Sequence, residues 1–338
     1  MSTRPAAIGL AAALALAAAF GAAPGAADSA RDTGTDTAAV GLHVRDGRLY
    51  EANGNEFVMR GVNHAHVWYP GQRRSFADIK ALGANTVRVV LGSGQRWGPT
   101  PESEIAEVIG DCKENRLICV LEVHDTTGYG EEPAAATLDQ AADYWIGVAG
   151  ALRGEEDHIL INLGNEPYGN DAQTNAGWAE DTSAAIGRLR AAGLDHALVA
   201  DAPNWGQDWQ RIMLEQAPDV EDPDGNTVFS VHMYGVYEDA GTIASYMDGF
   251  AANGLPLIVG EFGHLHSDGD PDEDAILAEA EARGIGYLGW SWSGNSGGVE
   301  YLDMAEGFDG QRLTPWGERI FNGPDGIAET SEEATVYE

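Results

Sequence analysis

Ile159-Leu160-Ile161-Asn162-Leu163-Gly164-Asn165-Glu166-Pro167 sets an apolar run of strand length against a polar tip, and Leu257-Ile258-Val259-Gly260-Glu261-Phe262-Gly263 repeats the arrangement. Short apolar runs bounded by Gly and Pro read as fully buried strands. A carboxylate at the tip of such a strand is costly unless it is paired or used. Glu166 and Glu261, at the ends of two strands of one repeating pattern, therefore predict a pair converging on one pocket.

Outward from these two runs the same unit recurs. Strands are predicted over Phe57–Asn63, Asn85–Val90, Leu117–His124, Ile159–Asn165, Ala197–Asp201, Val228–Tyr234, Leu257–Glu261 and Gly286–Trp292. Amphipathic stretches lie between them, among them Glu102–Glu114, Ala136–Leu152, Ala176–Ala191 and Asp272–Arg283. Strand–helix alternation of this kind makes an α/β protein with a parallel sheet. Eight units close into a (β/α)8 TIM barrel, whose active residues stand at the carboxyl ends of the strands. The alternative, an open doubly wound sheet, lacks its Gly-rich phosphate loop after the first strand. A polar hairpin over Leu42–Glu56, with turns at Asp46-Gly47 and Asn53-Gly54, is placed to close the bottom of the barrel.

The ends of the chain read differently from its middle. Residues 1–27 carry one early arginine, Arg4, then an Ala/Leu stretch and small residues at Gly25-Ala26-Ala27, the pattern of a secretory signal peptide. Residues 28–38 read as a disordered leader, 39–323 as the catalytic domain and 324–338 as an acidic tail, either a frayed end or a linker stub. The mature protein is thus expected to be secreted, extracellular and monomeric, with no membrane segment. A net charge of −35, from 54 acidic against 19 basic residues, argues against nucleic acid or an anionic membrane as partner. Only Lys80 and Lys113 are lysines; strong acidity with so few of them fits a saline or alkaline habitat, or equally a lineage bias toward Arg. The two cysteines, Cys112 and Cys119, are close enough in a secreted chain to form a local disulfide.

Strand ends collect the chemistry. The second strand offers Arg88, the third His124, the fourth Asn165 and Glu166, the sixth His232 and Tyr234, the seventh Glu261 and the eighth Trp290 and Trp292. The first ends in Asn63-His64-Ala65-His66, with Trp68 beyond it. Any one of these has a plain structural reading, such as an internal salt bridge or a satisfied core histidine. Polar and aromatic residues at the same end of seven strands do not reduce to packing. Two carboxylates in that setting are the equipment of a general acid and a nucleophile acting on a glycosidic bond.

On these residues the chain resembles glycoside hydrolase family 5, retaining β-glycanases built on (β/α)8 barrels. Arg88, His124, Asn165, Glu166, His232, Tyr234, Glu261 and Trp290 match that family's pattern, with Asn165-Glu166-Pro167 and Glu261-Phe262-Gly263 as its signposts. Four segments resemble the family's bacterial β-1,4-mannanases more narrowly: Asn63–Tyr69, Glu122–Asp125, Asp201–Trp209 and Gly289–Trp292. The resemblance implies a cofactor-free hydrolase acting on β-1,4-mannan, with an endo-β-1,4-glucanase or a non-catalytic glycan-binding barrel as alternatives. It implies Glu261 as nucleophile, kept ionised by Arg88 and Tyr234, and Glu166 as general acid and base. Asn165 binds the sugar 2-hydroxyl, while His124 and His232 hold the glutamates and the sugar. Trp68, His66, Trp205, Trp290 and Trp292 are the expected sugar-binding residues.

One segment invites a metal reading. Asp268-Gly269-Asp270-Pro271-Asp272-Glu273, with Glu279 at the twelfth position, partly matches a calcium-binding EF-hand loop. The sixth position needs Gly and holds Glu273, and the residues from Ala275 on read as helix. The preferred reading is an N-cap at Asp270 with Pro271 at the first helical position. His64 and His66 lack a third ligand, so no metal site is expected.

Overall fold

The computed structural model describes residues 41–338; the expected signal peptide, 1–27, and leader, 28–38, lie outside the described residues. A short hairpin comes first, β1 (His43–Arg45) and β2 (Arg48–Tyr50). Its turn places Asp46 and Gly47 both at positive φ (51° and 73°), the geometry whose twist suits a two-residue hairpin. Eight parallel strands follow: β3 (Arg60–His64), β4 (Thr86–Leu91), β5 (Ile118–Val123), β6 (Ile159–Asn162), β7 (Leu198–Asp201), β8 (Thr227–Met233), β9 (Leu257–Phe262) and β10 (Gly286–Gly289). Each pairs with the next and β10 pairs back onto β3, so the sheet closes into the expected barrel.

Side-chain alternation divides the apolar residues into two bodies. Cys119, Leu121 and Val123 of β5 join the large core between strands and outer helices. Ile118 and Val120 join a smaller cluster inside the barrel, with Leu160, Val199, Val228, Ile258 and Leu288 from the other strands. Leu42, Leu49, Phe57 and Met59 belong to that inner cluster, so the hairpin and its lead-out floor the barrel. This is why β3 begins at Arg60 rather than at Phe57: residues 57–59 cross the floor before the strand starts. Two positions above the apolar floor the inward set turns polar, with Glu122, Asn162, Asp201 and Ser230 buried, and His232 follows two further along β8.

Other differences from expectation have local causes. The helix expected over Ala136–Leu152 is two, Leu138–Gly147 and Ala149–Leu152, meeting at Val148 (φ −110°, ψ 12°), where Gly and a β-branched residue are weak helix formers. Thr137 and Gln140 build a capping box at its start. Helix Glu273–Arg283 is capped by Asp272, not Asp270; the Asp272 carboxylate accepts the Ala275 N–H. Glu279 lies on that helix and pairs with Arg283, while Asp268 accepts from Gln207 Nε2 at 2.7 Å. Cys112, on helix Glu102–Glu114, is disulfide-bonded to Cys119 on β5, with Cα atoms 6.1 Å apart.

The acidic segment after Gly323 is neither frayed nor a free linker. It forms a short helix, Ile327–Thr330, with Ile327 buried, and Ala334 joins the floor cluster. The buried Glu51 carboxylate accepts the backbone N–H of Thr335 (3.0 Å) and Val336 (2.9 Å). Tyr337 donates its hydroxyl to the Leu117 carbonyl at 2.7 Å. Among the described residues no helix is long and apolar enough to cross a membrane.

Candidate active site

Arg88 is the hub at the top of the barrel. Its side chain is 1% exposed, and every donor has a partner. Nη1 reaches Glu261 Oε1 and Asn63 Oδ1, both at 2.8 Å; Nη2 reaches Asn165 Oδ1 at 2.7 Å; Nε reaches Asn162 Oδ1 at 3.0 Å. Burial disfavours the cation, but Glu122, Asp201 and Glu261 outweigh it and hold the guanidinium charged. Tyr234 donates to the other Glu261 oxygen at 2.9 Å. Glu261 therefore accepts from one cation and one phenol, one on each oxygen.

Glu166 sits otherwise. It follows β6 at φ 39°, a left-handed conformation uncommon for a residue with a side chain. His232 Nδ1 lies 2.8 Å from its Oε1. Burial raises the Glu166 pKa, the hydrogen bond and charge of His232 pull it back, Glu261 raises it, and the net direction is up. One carboxylate thus favours its proton beside another that is engaged by a cation and a phenol, the difference in setting that an acid and a nucleophile need. Ligand-capable atoms of Glu166, His232 and Glu261 all lie within 4.8 Å of one another. That spacing is short of the roughly 6.5–9.5 Å that admits a water between carboxylates and suits direct attack by the second. The same three atoms resemble a metal triad, but Arg88 already supplies Glu261 with a cation and His232 Nδ1 is committed to Glu166.

Of the expected residues, Arg88, His124, Asn165, Glu166, His232, Tyr234, Glu261 and Trp290 are brought together. His124 pairs with Glu122 through Nδ1 at 2.8 Å and lies nearly parallel to Trp290, ring centres 5.7 Å apart at 20°. Burial works against the His124 cation and Glu122 outweighs it, leaving its pKa raised. Trp68, 38% exposed, meets the edge of His124 at 5.2 Å. Trp205 stands across the mouth in an open cleft of about 320 Å³ that Glu166, Tyr234 and Trp209 also line.

Two expected sugar contacts are not in the pocket. Trp292 is fully buried and packs edge-on against Phe321. β10 ends at Gly289, so the two-residue alternation that would have put Trp290 and Trp292 on one face has already lapsed. His66 is 2% exposed and bonds Glu104 of helix Glu102–Glu114 at 2.8 Å, which turns it toward the outer layer.

Sequence reading also passed over residues that the site uses. Glu122, Asn162 and Asp201 form its polar underlayer, and counting in twos up from Val120, Leu160 and Val199 would have found them. Trp97 meets both Trp68 and His124 at about 5.3 and 5.2 Å because buried Asp125 gathers the N–H groups of Ser93, Gln95, Arg96 and Trp97. Trp209, 51% exposed, donates to Asn170 Oδ1 at 2.7 Å on the Glu166 side of the cleft. Neither loop path had a periodic signal.

Known proteins resemble this chain in sequence and fold. The profile described as Cellulase (glycosyl hydrolase family 5) matches residues 50–296. Mannan endo-1,4-beta-mannosidase of Streptomyces lividans is 61% identical over 304 residues, 89% of this chain and 78% of that protein. The solved β-mannanase of Thermomonospora fusca is 66% identical with TM-score 0.88, over 89% of this chain and 100% of that one. Its mannohexaose complex gives 64% identity and TM-score 0.87 over 89% and 100% of the two chains. With the barrel, the paired glutamates and the family profile in agreement over most of its length, the chain belongs to glycosyl hydrolase family 5.

Proposed function

We propose that this protein is a secreted, monomeric, retaining endo-β-1,4-mannanase that cleaves internal bonds of mannan, galactomannan or glucomannan. The observation that carries the reading is the paired environment of the glutamates: Glu261 between Arg88 and Tyr234, and Glu166, its pKa raised, against His232. The choice of mannan is supported by the Streptomyces lividans mannosidase and by the relative solved with mannohexaose. Secretion is supported by the sequence of residues 1–27 and by the Cys112–Cys119 bridge.

The chemistry runs in two displacements. Protonated Glu166 gives its proton to the glycosidic oxygen as Glu261 attacks the anomeric carbon; the carbon–oxygen bond breaks and the reducing-end fragment leaves. Glu166, now a carboxylate, takes a proton from water, whose oxygen attacks the same carbon and releases Glu261. Asn165 spends Oδ1 on Arg88 and one Nδ2 hydrogen on Thr127, leaving the other for the sugar 2-hydroxyl. Trp290 and Trp68 carry sugars on the nucleophile side, and Trp205 on the acid side.

The test is product analysis on linear β-1,4-mannan and carboxymethylcellulose in parallel. Mannooligosaccharides of several lengths from the first alone are expected. Cleavage of cellulose alone overturns the substrate and moves the protein to the glucanases; no cleavage of either, with binding retained in Glu166→Gln and Glu261→Gln, makes it a binding barrel.

A further inference from the structure

Asp201, at the carboxyl end of β7, has no part in the two displacements, yet both glutamates lean on it. Its side chain is fully buried. Oδ2 accepts the backbone N–H of Glu166 at 3.3 Å and lies 3.2 Å from Arg88 Nη2, the same guanidinium that holds Glu261. The same oxygen stands 3.3 Å from His232 Nε2, off the line of the N–H and so an electrostatic contact, while His232 Nδ1 faces Glu166. Oδ1 accepts Asn162 Nδ2 at 3.0 Å. Arg88, Asn162 and the Glu166 amide present only hydrogens to this carboxylate. A group with acceptors on both atoms fits there; an amide would set a donor against a donor.

We propose that Asp201 is a positioning residue of the hydrolysis: its carboxylate keeps the His232 imidazole charged, so that Nδ1 donates to Glu166, and keeps Arg88 aimed at Glu261. The inference rests on the reading of Glu166 and Glu261 given above. The groups facing His232 are Glu166 from the segment after β6, Asp201 from β7 and Glu261 from β9, the last with Oε2 3.6 Å from Nδ1. Arg88 is shared with two of these anions and offsets part of their field. Burial opposes the His232 cation, Glu261 and Asp201 outweigh it, and its pKa is raised to about 10. A charged His232 blocks one Glu166 oxygen as an acceptor and leaves the other to carry the proton toward substrate. It also stabilises the carboxylate that remains once that proton has gone.

Asp201→Asn tests this with two readouts. Imidazole nitrogen NMR of the full chain is expected to show His232 charged through neutral pH in the wild type, with a titration midpoint about one to three units lower in the variant. The variant's kcat on mannan is expected to fall about 10²-fold while KM changes little. A wild-type His232 that is neutral at pH 7 overturns the proposal without any variant. So does a folded variant with an unchanged His232 midpoint or with wild-type kcat. The NMR readout needs no substrate, so inactivity of the wild type on mannan sinks the functional reading alone.

Discussion

His232 stands opposite Glu261 in the β8–β9 ladder, although the pair below it joins Val231 to Val259. Gly260 is the residue passed over. Without that bulge, strict alternation would group Glu261 with Val259, which belongs to the outer core. Asn63 Nδ2 donates to the Gly260 carbonyl at 3.0 Å and fixes the irregularity to β3. The nucleophile reaches the pocket because one residue is skipped.

Gly260→Ala is therefore expected to act on catalysis more than its size suggests. A Cβ there would fall 2.2 Å from Ser230 Oγ, so Ser230 or the bulge must move. A displacement near 1 Å at a reacting group costs about 10²-fold in rate. Ser230 Oγ is buried without a partner, so Ser230→Ala alone should be nearly silent and should restore part of the loss in the double variant. Steady-state kcat across the four proteins of the cycle measures the coupling.

Trp290 and Trp292 should separate cleanly. Trp290→Ala is expected to lower kcat/KM at least tenfold, about 1.4 kcal/mol of transition-state binding, with the thermal midpoint little changed. Trp292→Ala empties a core position, a loss of about 3–5 kcal/mol. For a chain of this size, at about 2.1 cal/mol/K of unfolding entropy per residue, that is a fall of roughly 5–8 °C. Kinetics and calorimetry on both variants distinguish a sugar platform from a packing residue.

The pH profile follows from the Glu166 environment. Its pKa is raised from 4.5 by burial first, then by Glu261, with His232 opposing. Activity requires the protonated form, so kcat/KM should fall as pH rises through a limb lying above 4.5. Glu261→Gln removes a raising charge and should lower the Glu166 midpoint, read by carboxyl carbon NMR in the inactive variant.

His64 gives a stability prediction of definite sign. It is fully buried, edge-on to Phe76 and Phe308, and neither ring nitrogen has a partner. Burial, aided by His66, lowers its pKa from 6.5 to about 3. The unfolded chain takes up that proton below about 6.5 and the native one does not, so stability is full above 6.5 and declines as pH falls toward 3. The slope is about 1.4 kcal/mol per pH unit at most. His64→Phe should flatten the acid side of a plot of thermal midpoint against pH; an unchanged slope places the acid sensitivity elsewhere.

Removal of 324–338 should destabilise without touching turnover. It strips the donors Thr335 and Val336 from the buried Glu51 carboxylate and uncovers part of the floor cluster. An unsatisfied buried acceptor costs about 1–3 kcal/mol, more when charged. Calorimetry should show a lower midpoint, while kcat well below that temperature stays as it was.

Much of this was legible in the residues. The eight strands could be read because both faces of each are apolar, inward to the floor and outward to the helices. Glu166 and Glu261 showed themselves as charges at the tips of such runs. What stayed hidden depended on where regular structure stops. Trp292 was assigned by a strand periodicity that ends at Gly289, and His66 by adjacency to a strand end whose chain then turns outward. The bulge at Gly260 cannot be seen in a sequence that reads correctly either side of it. The acidic tail looked free because charge dominates it, yet a few residues such as Ile327 and Ala334 are enough to seat it.

That seating has a practical side. Residue 338 follows Val336 and Tyr337, which pack on the floor cluster and on Leu117 at the start of β5, the end of the barrel opposite the strand tips that carry the site. A bead, a surface or a partner enzyme joined through that residue would hold the protein upright, with its working end presented to long, bulky polymer. Attachment by that route should cost little access, and coupling through Lys80 and Lys113 should hold the protein the same way up, since Lys80 pairs with Glu333 of that tail and Lys113 with Glu155 just ahead of β6.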